Sequence, residues 1–267
     1  MNLLILTIFS APVLLAAEIL PAQEPPADTI PWPAANQLSV IARARLDSRL
    51  GDTIQLSYSV ESAPSSVQSG RTFTVRAYAR SWVVAAPVRW VGDSGRIQDS
   101  SAVIWSSFSV TDLLTPGTQL TGFVTAGVGA TDLVGFRVRG HYDPPLYDDT
   151  TRIQYASAPS IWANAAQGST VGIVPTPTGT PSQLLSRLSS LNTQSCDLGW
   201  VSPSSVCVTL AGRLTSASSA LAGGDITTAR SEMDAYISEI ETRRSGDVSE
   251  DAFALLWPNA KTVRERL

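Results

Sequence analysis

From Leu38 onward apolar and polar positions alternate. Leu38, Val40, Ala42, Ala44 and Leu46 take every second place, with Arg43 and Arg45 between them. Ile54, Leu56, Tyr58 and Val60 repeat the pattern, and Phe73, Val75, Ala77 and Ala79 run against Thr72, Thr74, Arg76, Tyr78 and Arg80. Val88 with Trp90, Val103 with Trp105, Phe108 with Val110, Leu120–Val128 and Val134–Val138 continue the series. Side chains on a strand point alternately to opposite faces, so such runs predict half-buried strands. Gly92-Asp93-Ser94-Gly95 and Pro116-Gly117 read as turns between them. About eight strands without an intervening helical pattern predict an antiparallel β-sandwich over residues 38–156.

The period changes after residue 183. Leu184, Leu185, Leu188 and Leu191 form a short amphipathic pair of turns, and Val206, Leu210, Leu214, Ala217 and Leu221 form one helical stripe ended by Gly223-Gly224. Asp225 is placed to cap a helix carrying Ala229, Met233, Tyr236, Ile237 and Ile240. Ser249 is placed to cap a last helix, which Pro258 should kink or break. Residues 183–267 therefore read as a small all-α hairpin or bundle. Residues 157–182, rich in Thr, Pro and Gly, read as a linker, and residues 23–37 as a stiff Pro-rich spacer.

Two stretches resemble known families. Ser65-Val67-Gly70-Arg71-Thr72-Phe73-Thr74-Val75 loosely resembles the opening of bacterial immunoglobulin-like modules, without their Cys–Trp–Cys pattern. Leu210-Ala211-Gly212-Arg213-Leu214, Ala217, Ala220-Leu221, Gly224-Asp225, Ala229-Arg230, Met233, Ala235-Tyr236-Ile237, Ile240-Glu241 and Ala252–Leu256 resemble the FIMAH-type helical module of exported bacterial proteins. Tyr236, Met233 and Arg213 stand where that family usually has Phe, Leu and Lys. The resemblance implies a helical accessory unit beside varied partner domains and brings no catalytic residues.

Residues 1–22 bear on the compartment. Leu3 to Leu20 is apolar apart from Thr7, Ser10 and Glu18, and such a helix would rise about 27 Å, close to a bilayer core. It reads either as a signal peptide or as a membrane anchor. No Lys or Arg precedes Arg43, and a Leu stands at the −3 position of each Ala cleavage site, which departs from a signal peptide. Pro12 and Glu18 depart from an anchor. Either way the chain reads as exported, to the periplasmic side of the membrane or the cell surface. Its two cysteines, Cys196 and Cys207, then read as a disulfide closing a short loop.

Chemistry is thin. With 19 basic and 23 acidic residues and no basic stripe, nucleic acid is not an expected partner. Gly92-Asp93-Ser94-Gly95 is similar to the nucleophile segment of chymotrypsin-like proteases, but the single histidine, His141, follows the serine and Arg96 stands where that family has another Gly. No catalytic residue or cofactor is expected. One histidine cannot build an imidazole zinc site, and Asp143, Asp148 and Asp149 are a weak candidate for a hard cation. Trp90 and Trp105 fall on apolar strand faces and Trp82 in a strand region, whereas Trp32 and Trp162 lie in Pro-flanked or linker segments that suit partner contact. The sequence thus predicts a non-enzymatic structural or binding protein. Its expected role is a membrane-extrinsic subunit docking onto a larger membrane-associated assembly, through protein partners and the membrane surface. A cell-surface carbohydrate-binding or adhesive module is the alternative.

Overall fold

A computed structural model describes residues 29–30, 38–78, 80–97, 100–141, 154–155 and 165–267. Its strands are β1 (Thr29–Ile30), β2 (Val40–Leu50), β3 (Thr53–Ser62), β4 (Gly70–Arg76), β5 (Arg80–Ala85), β6 (Trp90–Ile97), β7 (Ser100–Ser107), β8 (Gln119–Val128), β9 (Ala130–Gly140), β10 (Gln154–Tyr155) and β11 (Ala166–Val174). Helices α1 (Pro181–Asp197), α2 (Ser204–Ala222), α3 (Ile226–Arg243) and α4 (Glu250–Arg266) follow. Among the described residues no helix is long and apolar enough to cross a membrane.

Two antiparallel sheets make the sandwich, one ordered β2-β3-β8-β5 and the other β11-β9-β4-β7-β6. The short β1 and β10 pair in parallel with each other. Alternation buries Ile54, Leu56, Tyr58 and Val60 of β3 against Phe73 and Val75 of β4, Phe136 and Val138 of β9, and Trp105 of β7. At the centre the Phe73 and Trp105 rings stack with centroids 5.4 Å apart, and Phe123 meets Phe73 edge-on at 5.1 Å. Trp90 also joins this core, with its indole N–H donating to the Asp112 carbonyl at 2.7 Å.

Several expectations are corrected. Residues 166–174, assigned above to a linker, form β11, which pairs with β9 along its whole length and buries Val171, Ile173 and Val174. Its Gly and Ser disguise it: a Cβ on Gly168 would lie 2.6 Å from the Phe136 ring, and one on Gly172 would lie 2.5 Å from Val134. Gly92-Asp93-Ser94-Gly95 is not a turn but the middle of β6, where a Cβ on Gly92 would lie 2.5 Å from Val83 and 2.9 Å from Trp105. Phe108 and Val110 do not form a strand; Val110 starts a short 3-10 turn capped by Ser109, and both side chains are exposed. Leu184 to Leu191 belong to a full helix, α1, opened by a capping box between Thr180 and Gln183.

The helical unit is stapled by a Cys196–Cys207 disulfide, Cα–Cα 6.1 Å, joining the end of α1 to α2. Asp225 caps α3 by accepting from the Thr228 N–H at 3.0 Å, and Ser249 caps α4 by accepting from the Ala252 N–H at 3.2 Å. Buried Tyr236 donates to Asn192 Oδ1 at 3.1 Å, tying α3 to α1. Helix α4 is not broken at Pro258. Proline removes one helical hydrogen bond and crowds the preceding turn. The carbonyl left without its helical donor is that of Ala254; the next one, Leu255, accepts from Asn259 Nδ2 at 2.7 Å and from the Thr131 hydroxyl of β9 at 3.0 Å.

The same contacts dock the helices on the sandwich. Asn259 Nδ2 also donates to the Thr131 carbonyl at 2.9 Å, and Arg187 of α1 pairs with Asp132 of β9 at 2.7 Å. At the open side of edge strand β2, the buried Asp251 carboxylate accepts from the Ala44 N–H at 2.6 Å. Arg49 of β2 reaches Glu265 of α4 at 2.9 Å. An edge strand left bare is a template for unwanted pairing, and α4 covers this one.

Candidate binding surfaces

The sheet order settles where the protease-like serine stands. Ser94 pairs with Val103 of β7 and so lies level with Val75 of β4, whereas the His141 N–H donates to the Ser69 carbonyl at the far end of β4. Strand spacings put them roughly 14 Å apart across the sheet and roughly 20 Å apart along it. A serine needs a base within hydrogen-bond reach, and His141 is not in reach of Ser94. The candidate partner residues Trp32 and Trp162 and the candidate cation ligands Asp143, Asp148 and Asp149 lie outside the described residues. Among the described residues no group of three or more His, Cys, Asp or Glu could hold a metal ion.

The outward faces of the two sheets differ in chemistry. On the four-stranded sheet, register places Trp82 of β5 beside Ala126 of β8, and Arg80 beside Val128. A bulge between Val83 and Ala85 turns Val84 outward. Trp82 is 43% exposed, Val84 48% and Val128 46%. Together they make an apolar patch along an edge strand. Next to it on β3, Gln55 faces Ala126 and Ser57 faces Val124. The sequence put Trp82 on a strand but did not single it out, because its outward aim depends on register with β8.

On the five-stranded sheet the outer face is cationic and hydroxylated. Thr74 of β4 stands between Arg137 of β9 and Ile104 of β7, and Arg137 stands next to Gln167 of β11. Thr72 pairs with Arg139, and burial, then the like charge of Arg71, holds Arg139's pKa below the usual guanidinium value. A hollow of about 440 Å³ opens here, with Thr74, Arg76, Gly135, Arg137, Gln167 and Ser169 among its walls. It adjoins a second hollow of about 510 Å³ near Tyr78, Arg80 and Ser81, the two sharing Ser101 and Ala102. Arg76 lies over the half-exposed Tyr78 ring, 5.0 Å from its centroid.

No protein-family model matches the chain, and no curated protein matches it. Among solved structures, an immunoglobulin-like-fold protein from Nocardia farcinica aligns at 15% identity and a TM-score of 0.29, covering 50% of this chain and 99% of its own. The chitin-binding domain of Chi18aC from Streptomyces coelicolor aligns at 14% identity and a TM-score of 0.28, covering 37% and 90%. A GH20 exo-β-N-acetylglucosaminidase from Vibrio harveyi aligns at 8% identity and a TM-score of 0.26, covering 52% and 19%. At such scores none of these likenesses bears on what this chain binds or does.

Proposed function

We propose that this chain is a non-enzymatic, exported binding protein that docks onto a larger membrane-associated assembly, with the outer face of β5 and β8 as its contact with a protein partner. The observation that carries the reading is the apolar patch of Trp82, Val84 and Val128, flanked on the same face by Gln55, Ser57 and Arg80. Contiguous exposed apolar area rimmed by polar residues marks an interaction site, and a partly exposed Trp is a strong anchor for one. The patch follows edge strand β5, whose free side can take a partner's backbone in strand addition. Export is supported by the Cys196–Cys207 disulfide, a bond that persists in oxidising compartments, and by the apolar run Leu3–Leu20. In this reading the helical unit, like the FIMAH-type modules it resembles, is an accessory that covers β2 and leaves β5 free.

The test is purification of the full chain from detergent-solubilised membranes of cells that express it, beside the Trp82→Asp variant. The expected result is a stoichiometric protein partner with the wild type, lost with the variant at unchanged melting temperature. A free monomer, or a partner that Trp82→Asp still holds, contradicts the reading.

A further inference from the structure

We infer that the hollow on the outer face of the five-stranded sheet is a binding site for a carboxylate-bearing sugar. The hollow lies on the other sheet from the β5 and β8 patch, and only the adjoining hollow reaches β5, at Arg80 and Ser81.

Thr74 is 4% exposed and lines the hollow, and its buried hydroxyl has no hydrogen-bond partner among the described residues. Buried hydroxyls almost always find a partner, and one that does not costs stability; a ligand supplying that partner accounts for it. Beside it, the half-buried Arg137 guanidinium has no hydrogen bond or ion pair to the described residues. A half-buried guanidinium with spare donors recognises a planar two-oxygen anion, and a carboxylate fits its fork. The neighbouring carboxylates do not compete. Asp132 is held by Arg187 at 2.7 Å, and Asp93 lies on β6 beyond Ile104, two strands from Thr74.

The rest of the wall points to a polyhydroxylated body behind the charge. Gln167, Ser169 and Ser101 offer an amide and two hydroxyls, each able to donate and accept, as sugar hydroxyls require. Tyr78, half-exposed in the wall of the adjoining hollow, has Arg76 over one face of its ring, and a sugar ring would stack on the other. Gly135 makes the room. It faces outward between buried Val134 and Phe136, and the nearest atom to a Cβ placed there is 3.9 Å away. A Cβ at position 135 meets only ordinary contact distances in the fold, and a side chain extending from it would enter the hollow.

Titration of the full chain in detergent with an oligogalacturonate, a neutral glucose oligomer and inorganic phosphate tests the site. The oligogalacturonate should bind, weaken with added salt, and outcompete both other probes. Arg137→Gln should weaken it about a hundredfold and Thr74→Val about tenfold, from the loss of one charged and one neutral hydrogen bond. Gly135→Leu should abolish binding at an unchanged melting temperature, and Val208→Ser, on the exposed side of α2, should change nothing. Absence of oligogalacturonate binding, equal binding of the neutral oligomer, tighter binding of phosphate, or retention by Gly135→Leu would each overturn the assignment.

Discussion

Two of the polar clusters buried among the described residues are built differently. At the joint between helices and sandwich, Asn259 serves three acceptors, the Thr131 hydroxyl finds Leu255, and Asp251 finds the Ala44 N–H. On the outer face of the five-stranded sheet, Thr74 is as deeply covered, yet its hydroxyl has no partner among the described residues. A low-dielectric surrounding strengthens a made hydrogen bond and penalises an unmade one, so the first cluster holds the fold and the second costs it. Thr170 and Ser81 also have buried hydroxyls without a partner among the described residues, but neither stands beside Arg137. A hydroxyl left open at a hollow beside a spare guanidinium is poised for something outside the fold.

The largest expected effect breaks the joint. Asn259→Ala removes the donor shared by the Thr131 carbonyl and the Leu255 carbonyl, leaving Leu255 only the Thr131 hydroxyl, and should cost about 3 kcal/mol, read from a urea melt. Asp251→Asn is subtler, because the amide oxygen can still accept from Ala44. Burial lifts the Asp251 carboxyl from its ordinary 3.8 to about 6, against the opposing effects of the Ala44 N–H and Arg43. The folded state thus keeps its proton to higher pH than the unfolded state. Between about pH 4 and pH 6 the unfolded chain binds fewer protons, so stability falls as pH rises through that window, by on the order of 2–3 kcal/mol. Urea melts across the window should show this slope in the wild type and its loss in Asp251→Asn. The smallest effect has the opposite sign: Thr74→Val removes an unmade hydrogen bond and should stabilise by about 1 kcal/mol.

Alternation showed the centres of β2, β3, β4, β8 and β9 directly, because each has one face in the core. The caps Asp225 and Ser249 were readable for the same local reason. Strand β11 was not, since Gly168 and Gly172 are glycines for close approach to Phe136 and Val134 while their composition imitates a linker. Strand β6 was hidden likewise by Gly92 under Val83 and Trp105. The binding surfaces were the least legible. Thr74 reads as one more polar position on a strand, and only register places it beside Arg137 and opposite no acceptor. Trp82 was visible on its strand, but its exposure follows from the position of β5 at the sheet edge.

Thermal melting of wild type and Thr74→Val, each with and without saturating oligogalacturonate, tests the contrast most directly. The wild type should melt lower alone and gain more from the sugar, since a ligand stabilises in proportion to its affinity for the folded state. If Thr74→Val melts no higher than the wild type, or the sugar raises both equally, the open hydroxyl is not a site.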